Sequence, residues 1–76
     1  MTTFKLATWN VNSIRIRLEH LQRLIDLENP DIICLQEVKA KEEDFPFDEI
    51  RAMGYPNIAL YSMPGYNGVA ILGKCG

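Results

Sequence analysis

The chain has 76 residues, of which 47% are hydrophobic and 24% are charged, and its formal net charge is −2. This size predicts one small domain with a thin core, and the weak acidity gives no general attraction to nucleic acid or anionic membranes. There is no charged-then-apolar leader and no long apolar run, so we expect no signal peptide and no membrane contact. Two cysteines, Cys34 and Cys75, indicate reduced thiols in a cytoplasmic protein.

The first predicted elements are a strand and a helix. Residues 4–9 carry apolar side chains on both faces, which predicts a strand that is buried on both sides. Ser13 is a candidate helix cap, and an apolar stripe at helical spacing follows it, formed by Ile14, Leu18, Leu21 and Ile25. The Asn-Pro pair at residues 29–30 is expected to end this helix.

The second apolar run completes a strand–helix–strand unit. Residues 31–35, "DIICL", predict a strand covered on both faces, parallel to the first strand. A charged loop leads to a short helix over residues 47–53, which Gly54 closes. Residues 57–62 and 67–72 predict two further strands that form a hairpin through "MPGY".

Polar residues follow both strands of the strand–helix–strand unit. Asn10 and Asn12 end the first strand, and "QEVK" at residues 36–39 ends the second. Because the carboxyl ends of parallel strands share one edge of a sheet, these side chains are expected to meet there. Glu37 continues the row of Ile33 and Leu35. A carboxylate beside neutral amides suits a hard divalent cation such as Mg²⁺.

Each of these residues also has an ordinary structural interpretation. An Asn at a strand end is commonly a turn or cap residue, and a Glu after an apolar strand is commonly only solvated. Lys39 alone is interpreted as a solvated loop charge, and "PGYNG" alone as a hairpin turn. His20 is expected on the surface of the helix. Trp9, Cys34 and the Ile and Leu positions are expected in the core.

Three segments together resemble a known family. "ATWNVNSIR", "PDIICLQEVKA" and "GYNGVAIL" are similar to the start of the exonuclease III family of Mg²⁺-dependent exonucleases and abasic-site endonucleases. The resemblance extends to about Leu72. It implies an α/β fold in which residues 1–76 form the amino-terminal strand–helix–strand unit and hairpin of a mixed-sheet, DNase I-like α/β sandwich, incomplete in this chain.

The resemblance also implies roles for individual residues. Glu37 matches the metal-binding glutamate, Asn10 matches an asparagine beside the metal and the scissile phosphate, and Asn12 matches a position near the metal. Arg15 matches a residue that contacts the DNA backbone. The matching phosphate-contacting loop consists of Gly65, Tyr66, Asn67 and Gly68. The implied cofactor is Mg²⁺, with Mn²⁺ as an alternative, and the implied partner is double-stranded DNA carrying abasic sites.

The chain departs from the family in what it lacks. The family completes its site with an Asp-x-Asn segment that activates water and with a C-terminal Asp-His pair, and this sequence has neither. The expectation is therefore a fragment of a monomeric DNA-repair hydrolase that supplies part of an active site, is inactive alone and self-associates. The alternative is a non-catalytic truncated chain that acts, if at all, by pairing with a complementary one.

Overall fold

Four strands form one mixed sheet in the computed structural model of the chain, which describes residues 5–61 and 68–74. The strands are β1 (Leu6–Asn10), β2 (Ile32–Gln36), β3 (Asn57–Tyr61) and β4 (Val69–Gly73), in the sheet order β1-β2-β4-β3. β1 and β2 are parallel, whereas β4 is antiparallel to both β2 and β3. The predicted parallel pair, hairpin pairing and α/β class are confirmed, with strand ends shifted by one or two residues. Residues 1–4 and the hairpin turn lie outside the described residues.

The crossover between β1 and β2 is not one continuous helix. A 3₁₀ turn (Ile14–Ile16) comes first, and the helix α1 (Leu18–Glu28) begins after it. Ser13 makes no side-chain capping bond, so its prediction as the cap of this helix is wrong. The reason is that the N–H groups of Ser13 and Ile14 donate to the carbonyls of residues 37 and 38. The chain is therefore still paired with the neighbouring strand exit where a helix was expected to start.

The ends of both helices follow the sequence signals. Asn29 adopts a left-handed conformation after α1 and its N–H donates to the Ile25 carbonyl at 2.7 Å. The short helix α2 (Phe47–Ala52) is followed by Gly54, whose φ of 104° suits glycine and whose N–H donates to the Arg51 carbonyl. Within residues 5–61 and 68–74, no helix has the length and apolar character needed to cross a membrane.

Both helices pack on the same face of the sheet. Their apolar side chains join one core with residues from all four strands and their connections. Its buried members are Val11, Ile14, Leu21, Ile25, Ile33, Leu35, Val38, Ala40, Phe45, Ile50, Tyr55, Ala70 and Leu72. His20 lies exposed on α1, as predicted. One contiguous cluster is what a domain of this size is expected to form.

The opposite face of the sheet is open in the part of the chain that the structure describes. Leu6 is 58% exposed, and Val69 and Ile71 are each 43% exposed. Cys34 is only half-buried on this face, and Trp9 is half-buried against the core. The predictions of strands buried on both faces and of core positions for Cys34, Leu6 and Ile71 are therefore wrong, because α1 and α2 cover one side only. The predicted core positions of Ile16 and Leu27 are wrong as well, since these side chains are 70% and 80% exposed.

A buried tyrosine fixes the connection after α2 to the connection after α1. Tyr55 is fully buried, and its hydroxyl donates to the carbonyl oxygen of Pro30, which is also buried. Burial, and to a smaller extent the Asp31 carboxylate, raises the pKa of Tyr55 above its ordinary value. The neutral hydroxyl is thus stabilised in the folded state, where it satisfies a carbonyl that has lost contact with water.

We expect Tyr55→Phe to lower the free energy of unfolding by about 1–2 kcal/mol at neutral pH, because the Pro30 carbonyl loses its donor. The contribution is complete below pH about 10, where unfolded tyrosine is neutral, and declines as pH rises through the raised folded-state pKa. The measurement is urea unfolding of a protein that contains residues 1–76 and unfolds cooperatively. Tyr61→Phe is the control, since Tyr61 is 68% exposed. Equal losses in both variants would contradict this assignment.

Candidate active site at the ends of two parallel strands

The parallel pairing of β1 and β2 continues past the ends of both strands. The Val11 N–H donates to the Gln36 carbonyl at 3.0 Å, and the Ser13 N–H donates to the Glu37 carbonyl at 2.8 Å. The Ile14 N–H then donates to the Val38 carbonyl at 3.0 Å. These bonds hold the two polar exits side by side, so the segments that carry Asn10, Asn12, Glu37 and Lys39 are fixed by backbone hydrogen bonds.

Buried residues alternate with the polar ones along both exits. Val11 is 1% exposed between Asn10 and Asn12, and Val38 is fully buried between Glu37 and Lys39. Each apolar side chain packs into the core cluster, which holds the polar side chains on either side of it at the sheet edge.

The side chains of Asn10 and Glu37 meet. The Nδ2 of Asn10 donates a hydrogen bond to Oε2 of Glu37. The prediction that these two residues converge at the carboxyl ends of parallel strands is confirmed as geometry. Their chemical roles stay predictions.

Glu37 reaches Asn10 through a break in the alternation of β2. Ile33 and Leu35 are buried, and an unbroken strand would place Glu37 in the same row. Instead Glu37 has a φ of 52°, and Val38 and Ala40 occupy the next buried positions. The prediction that Glu37 continues the row of Ile33 and Leu35 is therefore wrong, because the left-handed residue shifts the alternation by one position.

Left-handed backbone is concentrated at this edge. Four non-glycine residues here have positive φ: Asn12 at 49°, Ser13 at 83°, Glu37 at 52° and Lys39 at 51°. Such conformations cost of order 1–3 kcal/mol each, least for Asn, and they persist where surrounding contacts impose them. At these exits the imposing contacts are the backbone bonds between the exits and the buried valines beside them.

Lys39 contacts one of the polar side chains at this edge, which its interpretation as a solvated loop charge did not predict. Its side chain is exposed, but the Nζ donates to Oδ1 of Asn12 at 2.6 Å. The available signal was its position two residues after Glu37, at the strand edge that also carries Asn12. A cation bound at this oxygen of Asn12 would have to replace the ammonium group of Lys39.

The glycine-containing loop reaches the same edge at its last residue. Gly68 has a φ of 80°, and its carbonyl accepts from the Val38 N–H at 3.2 Å. The entry to β4 is thereby attached to the exit of β2. Gly65, Tyr66 and Asn67 lie outside the described residues, so their predicted role stays a prediction.

Arg15 lies in the 3₁₀ turn that follows Ser13, with an exposed side chain. It lines a cavity of about 480 Å³ that is bounded on the other side by the segment containing α2. The other lining residues are Leu18, Asp44, Phe45, Pro46, Phe47, Asp48, Glu49 and Arg51. The placement of Arg15 beside DNA stays a prediction.

The donor set fits a cation that takes few protein ligands. Glu37 supplies an anionic oxygen, and the amide of Asn10 donates to it. A second amide, that of Asn12, lies on the neighbouring exit, where it accepts from Lys39. Mg²⁺ typically binds one or two carboxylates and keeps several waters. No group of three or more His, Cys, Asp or Glu side chains that could hold a metal ion occurs in residues 5–61 and 68–74.

The Endonuclease/Exonuclease/phosphatase family matches residues 7–72 of the chain. Recombination repair protein 1 from Drosophila melanogaster is 44% identical over 72 residues, covering 92% of this chain and 10% of that protein. Exodeoxyribonuclease III from Haemophilus influenzae is 36% identical over 70 residues, covering 92% of this chain and 26% of that protein.

Solved structures agree with these sequence relatives. The 3′ phosphatase NExo from Neisseria, bound to a product DNA hairpin, superposes with a TM-score of 0.84 at 39% identity. The match covers 95% of this chain and 28% of that one. An AP endonuclease from Archaeoglobus fulgidus gives a TM-score of 0.83 at 39% identity, with 93% and 27% of the two chains covered.

The chain therefore belongs to the Endonuclease/Exonuclease/phosphatase family. Its resemblance to the exonuclease III group within that family is confirmed by both kinds of comparison. The chain spans between about a tenth and about a quarter of the length of the two sequence relatives just named.

We expect Ser13→Gly to raise the free energy of unfolding by about 1 kcal/mol and Ser13→Ala to leave it unchanged or lower. Ser13 has a φ of 83° and makes no capping bond, so glycine relieves strain without removing a side-chain contact of that kind. Alanine keeps the strain and is the matched control. The measurement is urea unfolding of the protein, and a glycine variant less stable than the alanine variant would disprove that Ser13 is strained.

Proposed function

We propose that the chain is the amino-terminal part of a Mg²⁺-dependent DNA phosphodiesterase of the exonuclease III type. The substrate is double-stranded DNA that carries abasic sites, and the reaction is hydrolysis of a backbone phosphodiester bond in DNA repair. The observation that carries the proposal is the contact between Asn10 and Glu37 at the ends of two parallel strands, within a sequence of this family.

In this proposal Glu37 holds the metal and Asn10 contacts both Glu37 and the scissile phosphate. The Asn10–Glu37 hydrogen bond supports both roles, because it fixes the carboxylate orientation and places an amide next to it. Asn12 is the second candidate beside the metal, and Mn²⁺ is an alternative to Mg²⁺. Such a metal, when bound, stabilises negative charge that develops on the phosphate.

The remaining contacts in the proposal are with the DNA backbone. Arg15 supplies an exposed guanidinium on the turn after Ser13, suited to phosphate oxygens. Gly68, with Gly65, Tyr66 and Asn67 before it, would lie against further phosphates. Support for this comes from the attachment of Gly68 to the exit of β2, which brings the loop's last residue to the site edge.

The chain supplies only part of the site in this proposal. None of its aspartates has an asparagine two positions later, and its one histidine is exposed on α1. The group that activates the attacking water would come from polypeptide outside residues 1–76. The whole enzyme would act as a cytoplasmic monomer, with residues 1–76 as the amino-terminal part of one domain.

A second candidate is a non-catalytic chain that pairs with a complementary one. The open face of the sheet favours it, since Leu6, Val69 and Ile71 expose apolar surface that a partner would cover. The two candidates differ in what supplying the missing polypeptide does: the first gains hydrolysis that depends on Glu37, whereas the second gains only order.

In a protein that contains these residues and the rest of such a domain, we expect Glu37→Gln to abolish most Mg²⁺-dependent cleavage. The amide keeps the shape and loses the charge, so the loss should exceed the about 10- to 100-fold typical of an outer-shell partner. The measurement is cleavage of an abasic duplex at limiting Mg²⁺. Glu43→Gln is the control, because Glu43 lies exposed in the 3₁₀ turn Glu42–Asp44. Near-normal activity of Glu37→Gln would rule out the ligand assignment.

Residues 1–76 alone should show no nuclease activity. Positioning of the water and general base catalysis each contribute several powers of ten, and neither is supplied by the described residues. The test is to purify the chain free of host nuclease and assay an abasic duplex with Mg²⁺. Turnover that disappears in Glu37→Gln would show that the chain is a complete catalyst and overturn the partial-site proposal. Self-association is expected in the same preparation, because β1 and β3 are the outer strands of the sheet within the described residues. The expectation that the last strand forms an exposed edge is wrong, since β4 lies between β2 and β3.

A further inference from the structure

Lys39 is held at the site by a neutral group. Its Nζ donates to Oδ1 of Asn12 at 2.6 Å. The ion pairs among the described residues are Lys5 with Glu28 and Asp48 with Arg51, and none of them involves Lys39. The amide of Asn12 therefore orients the ammonium group without cancelling its charge.

Both partners of this bond stand on constrained backbone. Asn12 has a φ of 49° and Lys39 a φ of 51°. Val38 and Ala40, which flank Lys39, are buried, and Val11 is buried beside Asn12. A lysine whose ammonium group is simply solvated needs none of these restraints. The restraints instead fix the start of a long side chain whose end is fixed by Asn12.

A second pair of the same kind shows which feature matters. The Nζ of Lys74 donates to Oδ1 of Asn29, and Asn29 also has a left-handed backbone, with a φ of 46°. This pair lies at the opposite edge of the sheet, beyond the end of β4 and before the start of β2. The lysine–asparagine bond alone therefore does not define a site. Only the Lys39 pair shares its edge with Glu37.

We propose that Lys39 binds a phosphate oxygen of the DNA backbone next to Glu37 and that Asn12 is its positioning residue. The inference rests on the proposed function, because it takes a phosphodiester as the ligand. A phosphate approaching Glu37 meets a like charge, and an ammonium at the same edge offsets that repulsion. The neutral acceptor keeps this charge available, whereas a carboxylate at position 12 would neutralise it.

The test is equilibrium binding of duplex DNA by the whole protein in EDTA, over a series of salt concentrations, so that no cleavage contributes. Lys39→Ala should make the negative slope of log affinity against log salt shallower by about 0.9, the value for one lost phosphate contact. If the two proteins bind equally at about 1 M salt, this change makes binding about eightfold weaker at about 0.1 M salt. Lys74→Ala is the matched control and should bind as the wild type does.

Asn12→Asp separates a positioning role from a merely structural one. The aspartate still accepts a hydrogen bond from Lys39, but its negative charge neutralises the ammonium group. The dependence of affinity on salt should therefore become at least as shallow as in Lys39→Ala, although the lysine is present. A purely structural hydrogen bond would be preserved in this variant and would leave the slope unchanged.

The inference is overturned if Lys39→Ala and Lys74→Ala give the same affinity and salt slope, or if Asn12→Asp keeps the wild-type slope. Cleavage of an abasic duplex by the wild-type protein with Mg²⁺ is measured in parallel. Wild-type cleavage with an unaltered Lys39→Ala slope disproves the role of Lys39 alone. A wild-type protein that neither binds nor cleaves the duplex disproves the proposed function and, with it, this inference.

Discussion

The hydrogen bonds that join residues 11–14 to residues 36–38 are the constraint on which the site depends. They continue the parallel pairing of β1 and β2 beyond the point where both strands lose regular geometry. Because the N–H groups of Val11, Ser13 and Ile14 are satisfied across the gap between the two exits, neither exit can relax into an ordinary turn without losing these bonds. The late start of α1, the left-handed residues and the meeting of Asn10 with Glu37 all follow from this pairing.

The burial that stabilises the fold also holds the site in shape. Val11, Ile14 and Val38 are at most 1% exposed, and burying such side chains contributes about 1.5–3 kcal/mol each. The left-handed residues beside them cost of order 1–3 kcal/mol each. The two effects have similar size, so the core contacts at the exits offset the strain that re-aims Glu37. Core packing next to the polar groups thus offsets the strain that their precise placement requires.

Sequence periodicity and strand chemistry predicted the parallel strands, the hairpin and the convergence of Asn10 with Glu37. These features depend on local patterns and on the rule that parallel strands share their carboxyl edge. The predictions that Ser13 caps the helix and that Glu37 shares the face of the preceding apolar residues were wrong. Both features depend on pairing between residues about 25 positions apart. Periodicity carries no information on such pairing. The Lys39–Asn12 bond was missed for the same reason.

The open face of the sheet and the site are parts of one surface. Along β1, Leu6, Thr8 and Asn10 share a face at two-residue spacing, and Asn10 contacts Glu37. Any polypeptide that covers Leu6 and Thr8 therefore approaches Asn10 as well. Covering this face would bury apolar surface and lower the dielectric constant around the Asn10–Glu37 pair in the same step. Because the polar pair ends a row that begins with exposed apolar surface, completing the core and completing the site are coupled by the geometry of a single strand.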